Sequence, residues 1–383
     1  MVAPYDAPMD VGAVVVSPPH SAGPLRLLPF RGLTLSPRRI GDVSSIRAFT
    51  RPYRSVAERL ERWERRGQVT HDAEPAIYVH EYTAGGITVR GLVGALDLSR
   101  PAATRDDVAV FPHEGVHPAQ VEELATRMAE MQVNPAPILL VHRGSADTRR
   151  LVARAQERAP HLEFEDRAGQ RHRLWAVRDP AEVARIDAAL SRSRALIADG
   201  HHRFAAYLRM QQLRPGPAAA AGLAMLVDQD DTPLFLGAIH RLFAGTTLGA
   251  VGEAATRLGV RFEPTDRRRG VASLSPGTLV ATDGAAWATL RPRLGAERAV
   301  VEWVHQDLVP ALDRPPTSTA YLHAVDQALD AVGRRRGVAL LMPAPEFSQV
   351  LGIAADDRLL PEKATSFQPK PSVGVLIRSL RDG

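Results

Sequence analysis

The chain has no cysteine among its 383 residues. Disulfides, thiolate nucleophiles, iron–sulfur clusters and cysteine zinc sites are therefore excluded. Lysine is almost as scarce: of 48 basic residues only Lys363 and Lys370 are lysine, and the rest are arginine. No run approaches the roughly 20 apolar residues that a membrane helix needs. The opening residues have no basic n-region and one short apolar patch, Val11 to Val16, which does not read as a signal peptide. The expected setting is the cytoplasm, with no membrane partner. The formal charge of +5 is a small excess, and arginines mostly alternate with acids, as in ERLERWERRG. That spacing marks solvated helix faces rather than a stripe that tracks nucleic-acid phosphates, so DNA is not the expected partner. The runs Arg267 to Arg269 and Arg334 to Arg336 read as helix ends or loops.

What is present reads as a mixture of elements. Residues 1–24, rich in Pro, Gly and Ala, are expected to be a mobile tail. Helical spacing covers Val56 to Arg66, and Val121, Leu124, Ala125, Met128 and Met131 form the apolar stripe of a second helix. Strands are expected at Ala76 to Tyr82 and Thr88 to Leu96, joined by a Gly85–Gly86 hairpin turn. Further strands are expected at Pro137 to His142, His172 to Val177, Ala221 to Asp228, Leu234 to Phe243 and Val338 to Met342. Strands and helices alternate irregularly, so the fold class is α+β with a mixed sheet, not a doubly wound parallel sheet.

Three clusters carry chemistry. In IADGHHRFAAYLRM, Ile197 to Met210, an apolar strand meets a helix. Asp199 as an N-cap and Gly200 as a turn residue would suit any helix start. His201, His202 and Arg203 go beyond that requirement: a helix N-terminus with an arginine fork is an anion site suited to phosphate. Adjacent histidines point about 100° apart on a helix, so joint chelation of one metal is not expected. The second cluster, PHEGVHP, contains a literal H-E-x-x-H at His113, Glu114 and His117. Gly115 weakens a helical turn there and Pro118 pushes His117 out of the helical region. The segment reads as a loop, without zinc, and Glu114 beside a histidine stays a candidate general base. The third, PEKATSFQPK, holds both lysines with Thr365 and Ser366, groups that suit phosphate oxygens.

In this order, FPHEGV, an amphipathic helix, NPAPILLV and IADGHHR before a helix resemble the ParB/sulfiredoxin-like superfamily, and within it the free serine kinases. From about Pro29 to Arg378 the chain also resembles a widespread, functionally unassigned bacterial and archaeal family. That family ends in a box matched here by Lys363, Thr365, Phe367, Pro369 and Lys370. The resemblance implies a nucleotide-binding core over 25–244, an accessory α/β region over 245–335, and a C-terminal segment, 336–383, that returns to the core.

It implies Glu114, with His113 beside it, as the base that deprotonates a substrate hydroxyl. Asp199 would assist metal or nucleotide, and Gly200, His201, His202 and Arg203 would hold phosphates with Lys363, Thr365 and Lys370. The implied ligands are ATP or ADP with magnesium carried by the phosphates, and a small hydroxyl compound such as free serine. Two departures stand out. A Pro-Pro-Tyr-Asp box near the family's N-terminus appears as Arg51, Pro52, Tyr53 and Arg54, and the threonine after the HE pair is Val116. A phosphatase or nucleotidase on the same cradle, or a ParB-like nucleotide switch on DNA, are the alternatives.

Overall fold

The computed structural model describes residues 15–41, 47–295, 297–334 and 336–382. The chain divides into two compact units that do not follow chain order. One comprises Val16–Pro112, Val116–Leu234 and the C-terminal residues from Pro369; the other comprises His113–Gly115 and Phe235–Gln368. Of the expected tail, residues 1–14 lie outside the described residues. Within the rest, Val16 bridges Val116 and Ser21–Ala22 pairs with Val108–Phe111.

The first unit is built on a ten-stranded sheet. From one edge its strands run Ser21–Ala22, Val108–Phe111, Ala195–Asp199, Ile138–His142, Ala221–Asp228, Ile87–Asp97, Ile77–Ala84, Arg171–Val177 and Leu162–Glu165, with Leu27–Leu28 also on Ile87–Asp97. Two pairings are parallel, Ala195–Asp199 with Val108–Phe111 and Ala221–Asp228 with Ile138–His142. The others are antiparallel, so the sheet is mixed. Ile138–His142 and Ala221–Asp228 are buried at every position. Continuous apolar runs of this kind belong to central strands covered on both faces.

The Gly85–Gly86 hairpin forms as expected: both glycines have positive φ and Ala84 faces Ile87 across the turn. The helix Pro118–Met131 buries Ala125, Met128 and Met131 and packs on His201–Leu213. That second helix lies close on the sheet. A Cβ at Gly222 would sit 2.2 Å from the Tyr207 ring, so only glycine lets the ring approach the strand.

A smaller sheet in the same unit orders Val69–His71, Gly32–Leu35, Ile377–Ser379 and Val133–Asn134. Its C-terminal strand is anchored by Arg378, a buried arginine whose guanidinium donates to Asn134 Oδ1 and to the carbonyls of Ala218 and Ala221.

The other unit has an antiparallel six-stranded sheet: Phe262–Thr265, Trp287–Leu290, Leu279–Thr282, Gly337–Leu341, His240–Ala244 and Ser318–Leu322. The helix Val325–Arg334 buries Ala328 and Val332 against Leu242, Val280, Trp287, Ala339 and Leu341. One expected strand, Leu234 to Phe243, is in fact two. Phe235–Gly237 pairs with Ser366–Gln368, and His240–Ala244 enters the six-stranded sheet. The Arg267 to Arg269 run opens a helix instead of closing one, with the Asp266 side chain accepting from the Arg269 amide. Arg334 ends the Val325–Arg334 helix, and Arg335 lies outside the described residues. No helix among the described residues is long and apolar enough to cross a membrane. The architecture as a whole is α+β.

Candidate functional site

The predicted residues fall into two groups, one in each unit. Asp199, Gly200, His201, His202, Arg203 and Lys370 form the first. Asp199 ends the buried strand Ala195–Asp199, and the helix His201–Leu213 starts two residues later. Asp199 does not cap that helix. Gly200 is the N-cap, at φ 97° and ψ 32°, and has no side chain with which to cap the helix. The carboxylate is instead held by two cations, Arg203 Nη2 on Oδ2 at 2.5 Å and Lys370 Nζ on Oδ1. Burial alone would raise the Asp199 pKa, but the Arg203 and Lys370 charges hold it below the ordinary carboxylate value. Asp199 is thus an anion with one cation on each oxygen.

Arg203 is more committed to the protein than a phosphate fork would be. Its Nη1 donates to the carbonyls of Ala136 at 3.2 Å and Pro137 at 2.6 Å, just before strand Ile138–His142. This ties the strand–helix turn to a neighbouring loop. His202 is also a brace: its Nε2 accepts the His117 amide at 3.1 Å, which places the ring proton on Nδ1, and the two rings stack. His201 is buried, and burial followed by the nearby His202 and Lys370 charges lowers its pKa to about 3. It is neutral at physiological pH.

Lys370 reaches Asp199 because its own backbone is fastened. Tyr82 Oη donates to the Pro369 carbonyl at 2.6 Å and Gln170 Nε2 to the Lys370 carbonyl at 3.1 Å. Tyr82 belongs to a buried chain of polar groups in the sheet. Its ring lies beside His80 and His172, which are linked to each other at 3.1 Å and on to Asp166 at 3.1 Å. The lysine side chain itself is 46% exposed, so it is the cation of this group that water reaches most easily. No cluster of three or more His, Asp or Glu suited to a metal is found among the described residues.

The second group is His113, Glu114, Lys363 and Thr365. His113 to His117 is extended, with ψ 118° at His117, so the H-E-x-x-H spacing is not carried on a helix. Glu114 pairs with Leu360 through the backbone, and the Leu360 amide donates to the His113 carbonyl. Lys363 adopts a left-handed conformation, φ 53°. The amides that follow, Ala364 at 3.1 Å and Thr365 at 3.3 Å, converge with the Thr365 hydroxyl on Glu114 Oε1. Such convergent amides form an anion-holding nest. His113 Nε2 and Thr365 Oγ1 are 2.7 Å apart. Burial raises the Glu114 pKa in spite of these donors and the Lys363 charge, the direction that suits a general base.

One residue of this unit gave no signal in the sequence. Arg241 is 1% exposed, donates through Nη2 to the carbonyls of Glu362 at 3.4 Å and Lys363 at 3.0 Å, and so supports the turn that holds Glu114. In a chain so rich in arginine nothing distinguishes it locally. Only its place within the strand His240–Ala244 would draw notice.

Among curated proteins none matches the chain. Solved structures that resemble it include a free serine kinase in complex with AMP, at 13% identity and TM-score 0.40, covering 75% of this chain and 92% of that one. Another is a conserved hypothetical protein from Pyrococcus furiosus, at 14% identity and TM-score 0.39, covering 76% and 96%. A third is a C-terminally truncated SbnI from Staphylococcus aureus, at 9% identity and TM-score 0.42, covering 75% and 87%. A family model described as a protein of unknown function matches residues 30–313. The chain therefore belongs to the DUF1015 family.

Proposed function

We propose that the protein is a nucleotide-dependent phosphotransferase acting on a small hydroxyl compound, with free serine the first acceptor to try. The observation that carries this reading is the turn at Gly200. A left-handed glycine, which has no side chain to cap with, delivers the chain into the helix, and Lys370 stands beside it on Asp199. The positive end of a helix next to an ammonium group favours phosphate oxygens. In this reading the helix start and Lys370 receive the phosphates, and Asp199, Arg203 and His202 hold the turn in shape. The Arg203 bonds support this division of roles, because most of its donors are already spent on protein oxygens.

In such a transfer a base takes the acceptor's hydroxyl proton as that oxygen bonds to the terminal phosphorus and the bond to the leaving nucleotide oxygen breaks, and Glu114 has the chemistry of such a base. Its raised pKa supports the assignment, and the Thr365 and Ala364 amides would fix the carboxylate in one orientation. Magnesium would neutralise phosphate charge. Asp199 is a poor direct ligand for it, since both of its oxygens already face cations, so the phosphates would hold the ion.

The test is to incubate the protein with ATP or ADP, magnesium and a panel of small hydroxyl compounds, and to follow every phosphate by phosphorus NMR. A new phosphomonoester that fails to form with Glu114→Gln is the expected result. Inorganic phosphate alone would assign a hydrolase instead. No phosphate chemistry at all, with steeply salt-dependent DNA binding, would replace the enzyme reading by a DNA-binding one.

A further inference from the structure

The unit containing His113–Gly115 and Phe235–Gln368 has a cavity of about 210 Å³ bordered by Arg241. A water molecule occupies about 30 Å³ of liquid, so the space suits a small metabolite. Its walls mix polar surface with apolar residues that include Pro276, Leu294, Val301, Met342 and Pro343.

Arg241 brings an uncompensated charge to that space. A guanidinium has five N–H donors, and those of Arg241 make four hydrogen bonds, all to neutral groups. Nε donates to His305 Nε2 at 3.3 Å, Nη1 to the Ile239 carbonyl, and Nη2 to the carbonyls of Glu362 and Lys363. No carboxylate among the described residues forms an ion pair with it, and Glu114 acts on it only at longer range. His305 is a neutral acceptor, since burial and then Arg241 lower its pKa to about 4, and an imidazole carries no negative charge. The Tyr321 ring beneath the guanidinium, 5.5 Å away, is also neutral.

Buried cations are costly unless paired. Of the other charged groups bordering the cavity, Arg298 is neutralised by Asp307, and Glu346 is exposed to water.

We propose that this cavity binds a small organic acid, a singly charged carboxylate on a short carbon chain, with Arg241 as its ionic partner. One uncompensated charge and one remaining N–H match a monoanion, and a phosphate dianion would bring two charges against one. The apolar part of the walls takes the carbon chain. Arg241 also supports the turn that holds Glu114, but binding of an acid in the cavity requires no phosphate transfer.

The experiment is titration calorimetry of the full chain with propionate, 3-bromopropionate, propionamide and inorganic phosphate, together with crystals soaked in 3-bromopropionate. The expected result is saturable one-to-one binding of both acids, with the bromine located by anomalous scattering in the Arg241 cavity. The amide should bind roughly tenfold more weakly or worse, because it cannot form the charge-assisted bond. Arg241→Met should abolish binding while the far-ultraviolet dichroism is retained. Equal binding of acid and amide, preference for phosphate, a bromine elsewhere, or no binding would each leave Arg241 as a mere support for the Glu362 and Lys363 carbonyls and overturn the proposal. Because the acid–amide comparison and the soak use the unmodified protein, they decide the matter even if the variant does not fold.

Discussion

Replacing Gly200 by alanine tests whether the Asp199–Arg203 turn is as tightly constrained as its geometry indicates. At φ 97° an L-residue is strained, at a cost of about 1–2 kcal/mol. The added Cβ would also lie 3.0 Å from Arg203 Nη2, 3.1 Å from Nε and 3.1 Å from Ile138 Cγ2, so the guanidinium must move. Gly86 supplies the control. Its φ is 81° and a Cβ there meets nothing within 4 Å, so Gly86→Ala bears the backbone strain alone. Entropic gains from removing a glycine from the unfolded chain are common to both variants and cancel. The difference then reports the Arg203 contacts, three hydrogen bonds of which one is charge-paired. Losing one of them makes Gly200→Ala about 1–3 kcal/mol less stable than Gly86→Ala. Urea denaturation followed by circular dichroism, with midpoints compared at equal slope, measures this. If the two variants agree within about 0.5 kcal/mol, the turn does not depend on Arg203 in the way described.

Three further outcomes are expected. His201 is neutral in the folded protein, with a pKa near 3 against 6.5 when exposed; the unfolded chain binds its proton first, so this residue's contribution to stability is lost as pH falls below 6.5. His201→Gln should flatten that part of the stability–pH curve, and an unchanged curve would refute the burial argument. Glu114 behaves with the opposite sign: burial raises its pKa above 4.5, the folded state holds the proton longer, and stability declines as pH rises above that value. Glu114→Gln should remove the decline. Tyr82→Phe keeps the buried ring but deletes the 2.6 Å bond to the Pro369 carbonyl, which should loosen Lys370 and weaken nucleotide binding roughly two- to tenfold; unaltered affinity in a fluorescence titration would show that Lys370 is positioned by other means.

Much of the fold was legible because it is written locally. Two glycines between alternating apolar runs make a hairpin wherever they occur, and the stripe ending at Met128 and Met131 defines a buried helix face without reference to the rest of the chain. Continuous runs such as ILLVH announce central strands for the same reason. The segment Leu234 to Phe243 was misjudged as one strand because apolar residues recur along its whole length, whereas its halves hydrogen-bond to partners in different sheets. Periodicity cannot report a change of partner. The capping role for Asp199 failed in a related way: an acid before a helix reads as a cap, but its carboxylate was taken by a lysine 171 residues later.

By itself the sequence determined the element types, the α+β class and which residue types carry chemistry, since propensity, burial pattern and the scarcity of lysine are properties of neighbours along the chain. Tertiary structure alone decided how those residues are grouped. Lys363 and Lys370 sit in one short box, yet the first accompanies Glu114 in one unit and the second Asp199 in the other. Arg241 became notable only through burial without an ion-paired acid among the described residues. These outcomes depend on hydrogen bonds from distant strands, such as Tyr82 to Pro369 and Arg241 to Lys363, and on a low-dielectric interior that makes an unpaired charge costly. Neither is encoded in any local window of residues.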